Sequence, residues 1–226
     1  MYWPPGFTGW PFGRIRASLP ADDYDMDTTL WPEDAPPSKP IPCDTCELAS
    51  QSPTLVWGEG YPEAPLWILL DNPGSRLTTE GTSFVCGTRE TLYSVLAETG
   101  FRDKDLYLTF VVRRRPRHAY DKTTERRLCI KNFCEQLQRW HPKTIICLGE
   151  VALQSLTSAA DASLSQYRET WTQYGGAWLT ASYHPLAVRR RPNLREPFIQ
   201  DWRFVHATFP NFPPVDAHRP PPKATS

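Results

Sequence analysis

Three side chains that can bind or transfer protons follow apolar segments of the sequence. One apolar run ends at Asp71 and Asn72, within an Asp-Asn-Pro-Gly tetrapeptide, and another ends just before His184. A carboxylate or an amide on a rigid turn can position a water molecule and stabilise a developing positive charge, and an imidazole can donate a hydrogen bond near neutral pH. The same tetrapeptide is also typical of an Asx turn, in which Asp and Asn only satisfy backbone amides.

Arginine is concentrated in two short clusters, although the chain carries no formal net charge, with 25 basic and 25 acidic residues. The first cluster contains Arg113, Arg114, Arg115 and Arg117, and the second contains Arg189, Arg190, Arg191 and Arg195. Bulk charge therefore predicts no nucleic-acid partner, but clustered guanidinium groups suit a local anionic partner such as a phosphate backbone. The alternative is that both clusters are solvated loops.

The sequence carries no signal for membrane insertion or export. No segment reaches the roughly 18 apolar residues that a membrane span needs, and the first residues lack the basic-then-apolar order of a signal peptide. We therefore expect a cytoplasmic protein, a monomer, with no membrane partner. In that compartment the six cysteines are expected to be thiols or metal ligands rather than disulfides.

The length of 226 residues fits one domain with tails. Residues 1–42 are rich in Pro and Trp without strand or helix periodicity, which indicates an irregular N-terminal arm. Residues 43–209 form the predicted domain, and the Pro-rich residues 210–226 are predicted to be a flexible tail.

Within the domain, predicted strands alternate with predicted helices. Short apolar runs predict strands at 66–70, 106–112, 144–148 and 177–182, and helical spacing predicts helices at 89–99, 124–140, 150–156 and 196–209. This alternation predicts the α/β class, as a three-layer α/β/α sandwich with a central, mostly parallel four-stranded sheet. Ligands of such sheets bind beyond the carboxyl ends of the strands, where Asp71, the first arginine cluster and His184 would all lie.

The order of the motifs resembles family 4 of the uracil-DNA glycosylases and their bacterial relatives. The resemblance covers about residues 43–209 and rests on VWGEG, LLDNPG, EGTSFVCGTRETL, LYLTFVVRRRP, PKTIICLGEVAL and SYHPLAVRRRP. It implies a DNA glycosylase that flips a pyrimidine-type nucleotide out of the duplex and hydrolyses its N-glycosidic bond. No lysine nucleophile lies in a matching motif, so we expect a monofunctional enzyme that leaves an abasic site.

The resemblance also implies a role for each matching residue. Asp71 or Asn72 would position the water and stabilise the sugar cation, and His184 would donate to O2 of the leaving base. Base-binding residues would be Pro73, Gly74, Phe84 and Phe110. Contacts with DNA would come from Arg113, Arg115, Arg189, Arg190 and Arg191, with Leu186 inserted into the duplex from an arginine-rich loop.

One position departs from the family pattern. Where family 4 carries an Asn that reads uracil, this chain has Phe110, and a phenyl ring cannot pair with the base edge. Because a lost polar pair can change discrimination by orders of magnitude, we expect a modified or damaged pyrimidine as substrate, including modified cytosines of phage DNA in antiviral defence. The alternatives are a uracil-excising repair enzyme, a catalytically silent DNA-binding module, and an iron–sulfur electron carrier, which would leave both arginine clusters unexplained.

The cysteines match the iron–sulfur ligands of family 4 only in part. Cys43, Cys46 and Cys129 fall at three family positions, but the fourth is Arg114 here, and Cys86 is the first candidate to replace it. Because a [4Fe–4S] cluster needs four thiolates, the resemblance implies a structural cluster with Cys86 as fourth ligand. Zinc and unliganded thiols remain alternatives.

Overall fold

The computed structural model describes residues 31–37, 40, 43, 46–74, 76–79, 82–85 and 87–209, and for 76–79 and 82–85 it describes the backbone alone. Residues 1–30 of the predicted arm and the whole predicted tail lie outside this part of the chain, so both assignments stay predictions.

Strands and helices alternate along the described chain. The strands are β1 (Glu33–Asp34), β2 (Gly58–Gly60), β3 (Leu66–Leu70), β4 (Arg76–Thr79), β5 (Thr82–Val85), β6 (Leu106–Phe110), β7 (Thr144–Leu148), β8 (Thr172–Tyr174) and β9 (Ala177–Ser182). The α-helices are α1 (Glu47–Gln51), α2 (Gly87–Glu98), α3 (Lys122–Trp140), α4 (Glu150–Thr157), α5 (Leu164–Tyr167), α6 (Pro185–Arg190) and α7 (Arg195–Thr208). Short 3-10 turns occupy Asp103–Asp105 and Pro192–Leu194.

The central sheet confirms the predicted parallel core and extends it. Its strand order is β1-β2-β6-β3-β7-β9-β8, and the four strands predicted from sequence lie next to each other as the parallel set β6-β3-β7-β9. The additional strands β1 and β2 on one side and β8 on the other are antiparallel to their neighbours, and they extend the predicted four-stranded sheet to seven strands. They have two or three residues each, too few to produce a recognisable alternation. Strands β4 and β5 form a separate hairpin.

Two hydrophobic cores, one on each face of the sheet, give the three layers. Along β3, Leu66, Ile68 and Leu70 belong to one core, which includes residues of α2 and α7. The intervening Trp67 and Leu69 belong to the other, which includes residues of α3 and α4. This alternation follows from the two-residue side-chain period of a strand. Within the described residues, no helix has both the length and the apolar character needed to cross a membrane.

Candidate active site

Asp71 and Asn72 lie directly after β3. The backbone at this point is fixed by pairing with the next strand, since Val112 N donates to the Asp71 carbonyl at 3.0 Å. The Asp71 carboxylate accepts from Asn72 N at 2.8 Å, and the Asn72 amide donates to the Pro73 carbonyl at 3.0 Å. Both contacts reach only the adjacent residue, so neither is an Asx turn, in which the side chain bonds the backbone two residues on; they occupy one oxygen of Asp71 and the amide donor of Asn72.

His184 follows β9 and caps the N-terminus of α6. Its Nδ1 accepts a hydrogen bond from Leu186 N at 3.1 Å, and Pro185 occupies the first turn of the helix. A ring nitrogen that accepts from a backbone N–H carries no proton, so the neutral imidazole has its proton on Nε2. That Nε2 lies 3.3 Å from Asp71 Oδ1. The helix cap thus fixes both the tautomer and the direction of the donor.

The environment keeps the Asp71 carboxylate ionised. Burial acts to raise the pKa of Asp71, but the hydrogen bonds from the His184 ring and from Asn72 N outweigh it, and the pKa is lowered from its ordinary value. A carboxylate that stays ionised at neutral pH can accept a proton from water and can stabilise a neighbouring cation.

A cavity of about 360 Å³ opens beside this pair, within the size range of small-molecule sites. Its lining includes these residues predicted from the sequence: Asp71, Asn72, Pro73, Gly74, Phe110, Arg115, His184 and Leu186. The structure therefore brings most predicted base-binding residues to one place. Phe84 belongs to β5, but its side chain lies outside the described part of the chain.

The segment after His184 is a helix, not the predicted loop. Residues 185–190 form α6, because Pro at the first helical position and a capping side chain favour a helical start. Leu186 lines the cavity and also a second, wider one of about 420 Å³ that reaches Arg190 and Arg191. Arg189, Arg190 and Arg191 are exposed, as phosphate-binding side chains must be.

The first arginine cluster divides into buried and exposed members. Arg113 is completely buried and donates to the Trp57 carbonyl, Thr109 Oγ1 and Gln136 Oε1, and burial lowers its pKa. The prediction that Arg113 contacts DNA is wrong, because its guanidinium is enclosed in the core. Arg115 is exposed and lines the cavity.

Two charged residues of the cavity were missed by the sequence analysis. Glu59, on β2, is 1% exposed, and it is paired with the Arg89 side chain, which is 10% exposed. Burial raises the pKa of Glu59, although the Arg89 charge and hydrogen bond oppose this rise. Glu59 lies in a Gly-Glu-Gly sequence that resembles a turn, and Arg89 lies in the first turn of a helix, so neither position signals burial.

The described residues do not by themselves complete the implied [4Fe–4S] cluster. Arg113 interacts electrostatically with Cys43 and Cys129, and Cys46 with Cys129, so the three thiols share one neighbourhood. Among the described residues, no group of three or more His, Cys, Asp or Glu side chains could hold a metal ion, zinc included, and Cys86 lies outside them.

Hydrogen bonds attach α1, the helix after Cys46, to the rest of the domain. Glu47 N donates to Glu125 Oε1 at 3.1 Å, and Glu47 Oε2 accepts from Asp121 N at 2.9 Å. Arg114, at the position of the family's missing cysteine, donates to the Ser52 carbonyl at 2.9 Å. These contacts, called the α1 clamp below, join the segments that the implied cluster would join.

Comparison with known proteins identifies the family of this chain. The model of the uracil DNA glycosylase superfamily matches residues 57–206. The chain is 30% identical over 173 residues to the type-4 uracil-DNA glycosylase of Archaeoglobus fulgidus, covering 72% of this chain and 86% of that protein. It is 28% identical to the type-4 enzyme of Pyrobaculum aerophilum over 167 residues, covering 70% of this chain and 85% of the relative. The family match over more than half of the chain, together with these relatives, shows that the chain belongs to the uracil-DNA glycosylase superfamily.

Proposed function

We propose that this protein is a monofunctional DNA glycosylase that excises uracil from DNA. The observation that carries the proposal is the 3.3 Å contact between His184 Nε2 and Asp71 Oδ1 at a cavity of about 360 Å³. The similar proteins are named uracil-DNA glycosylases, which favours uracil as substrate. The expectation of a modified pyrimidine and a role in defence has no support beyond Phe110, and the cavity keeps the polar side chains Glu59 and Arg89 without the family Asn.

The two groups have complementary tasks in breaking the C1′–N1 bond. As the bond breaks, its electron pair stays with uracil, and His184 Nε2–H donates to O2, where negative charge develops. Asp71 faces the cationic sugar and accepts a proton from the water that attacks C1′. Without substrate the two groups contact each other, and in the complex the base carbonyl and the water replace that contact. Asp71 then gives its proton up to solvent and the uracil anion takes one up, so the products are free uracil and an abasic site with a hydroxyl at C1′.

The charged surface around the cavity supplies contacts to DNA. Arg115 lines the cavity, and Arg190 and Arg191 line the adjoining one. Exposed guanidinium groups bind phosphates without reading sequence. Leu186, on the first turn of α6, lies between the two cavities, where an apolar side chain can fill the space left by an everted nucleotide. Because α6 is a helix, this wedge would enter on a preformed support.

The test is single-turnover release of uracil from a labelled oligonucleotide. Wild type should release uracil and leave an alkali-labile abasic site. Asp71→Asn and His184→Gln should each lower the rate by about 10²–10⁴-fold. His118→Gln, a change at an exposed histidine, is the matched control and should keep the wild-type rate. Salt-sensitive DNA binding without base release would instead identify a catalytically silent DNA-binding module.

A further inference from the structure

The inner wall of the cavity carries an ion pair to which the proposed mechanism gives no task. Glu59 lies on β2 opposite Leu108 of β6, and Arg89 reaches it from the first turn of α2. Both side chains line the cavity together with Phe110. The pair therefore stands at the wall of the cavity where Phe110 replaces the family Asn.

One guanidinium nitrogen of Arg89 has no hydrogen-bond acceptor among the described residues. Its Nη2 pairs with Glu59, but its Nη1 is buried and makes no hydrogen bond to any described residue. The hydroxyl of Tyr93, whose ring centroid is 5.9 Å from the Arg89 guanidinium carbon, is close enough to Arg89 for their interaction to oppose the rise that burial causes in its pKa, but no contact between the two has the geometry of a hydrogen bond. Buried donors are almost always satisfied in folded proteins, so a donor that lines a cavity and lacks a partner indicates a ligand acceptor.

We propose that Arg89 is a specificity-determining residue that donates from Nη1 to O4 of the everted uracil, with Glu59 as its positioning residue. This inference rests on the proposed function. Uracil carries a carbonyl oxygen at C4, which accepts from the guanidinium. Cytosine carries an amino group there, which would set donor against donor and leave Arg89 unsatisfied, and such a mismatch produces strong discrimination.

Glu59 makes this arrangement possible in a buried site. An unpaired guanidinium would be costly to bury, and a carboxylate at the opposite side neutralises its charge while holding one edge of the fork. Because the guanidinium is planar with a fixed donor geometry, pairing one edge with Glu59 also fixes the orientation of the other edge, which carries Nη1. Phe110 contributes an apolar surface but no competing acceptor for Arg89.

The experiment compares excision of uracil and 4-thiouracil from otherwise identical oligonucleotides, because sulfur at C4 is a weak acceptor. The ratio of the uracil excision rate to the 4-thiouracil excision rate should be higher in wild type than in Arg89→Met. We expect this rate ratio to fall about ten- to a hundredfold in Arg89→Met, as for the loss of a hydrogen bond to a charged group. Glu59→Gln should lower the ratio less, because the guanidinium remains but is held less firmly.

Controls separate this inference from the proposed function and from misfolding. Arg102→Met removes an exposed arginine paired with Asp105 and should keep the wild-type ratio. An equal loss on both substrates in Arg89→Met would overturn the assignment, since the rate would then not depend on O4. Should Arg89→Met fail to fold, Arg89→Lys, which can still pair with Glu59, must show the same direction of change. If wild type released neither base, the proposed function itself would fail.

Discussion

His184 and Asp71 are 113 residues apart in the chain, yet Nε2 of one lies 3.3 Å from Oδ1 of the other. The sheet explains this, because β3 and β9 flank β7 and all three strands run parallel. Residues that follow parallel strands meet at one edge. The contact also helps to keep Asp71 ionised, because the hydrogen bond from the His184 ring lowers the pKa of its carboxyl group.

The lowered pKa of Asp71 predicts a pH-dependent contribution to stability. A carboxyl group whose pKa is lower in the folded than in the unfolded state stabilises the fold above the unfolded pKa, about 3.9. This stabilisation is lost as the pH falls through the folded pKa. Urea unfolding from pH 3 to 7 should therefore show a difference between wild type and Asp71→Asn that is largest at neutral pH and shrinks towards pH 3.

His184→Gln checks the cause of this effect. Without the imidazole, burial acts on Asp71 with less opposition, and the pKa of the carboxyl group should rise. Asp71→Asn should therefore change the pH dependence of the free energy of unfolding less in the His184→Gln protein than it does in wild type. An identical pH dependence in both backgrounds would contradict the assigned coupling.

Changing Arg113 to Met should affect the stability of the protein, whereas changing Arg115 to Met should affect its DNA binding. Arg113→Met leaves the Trp57 carbonyl and Gln136 Oε1 to share the single hydroxyl proton of Thr109. One buried acceptor then lacks a donor, so we expect a loss of about 2 kcal/mol in the free energy of unfolding. Arg115→Met should fold normally and reduce the salt dependence of DNA binding by about one counterion. Thermal melts and binding titrations at several salt concentrations would measure both, and a stable Arg113→Met protein would refute the structural role.

These neighbouring arginines show what the sequence could and could not predict. The four five- to six-residue strands, and hence the meeting of Asp71 with His184, followed from apolar runs alone. Whether a given arginine of a cluster faces the core or the solvent depends on where the chain turns after β6, which composition does not encode. Glu59 was missed for a related reason, since a three-residue strand with two glycines has no recognisable alternation of polar and apolar residues.

The α1 clamp predicts that stability does not depend on iron. A chelator should therefore leave the melting temperature of the protein unchanged. Glu47→Ala, which removes the acceptor of Asp121 N, should instead lower the free energy of unfolding by about 1 kcal/mol. Glu90→Ala, at an exposed position of α2, is the control. A cluster-specific absorption band that disappears together with stability on chelation would show that the cluster is present.

Gly149 should act as a positioning residue for His184. It has a φ of 94°, in the region that favours glycine, and a Cβ added there would lie 3.0 Å from His184 Cβ. Gly149→Ala should therefore strain the backbone and displace the imidazole from Asp71. We expect lower stability and, in the protein that remains folded, a loss of at least about tenfold in uracil release, since small misplacements of a catalytic group are costly.

Gly175→Ala provides the matched control for this change. Gly175 also has a positive φ, 53°, and a Cβ there would lie 2.9 Å from Leu137 Cδ2, a side chain of the core around α3. This variant should lose stability for the same reasons but release uracil at the wild-type rate per folded molecule. If both variants lost activity in proportion to stability, Gly149 would have only a structural role. A selective loss in Gly149→Ala would show that the turn after β7 sets the position of the histidine.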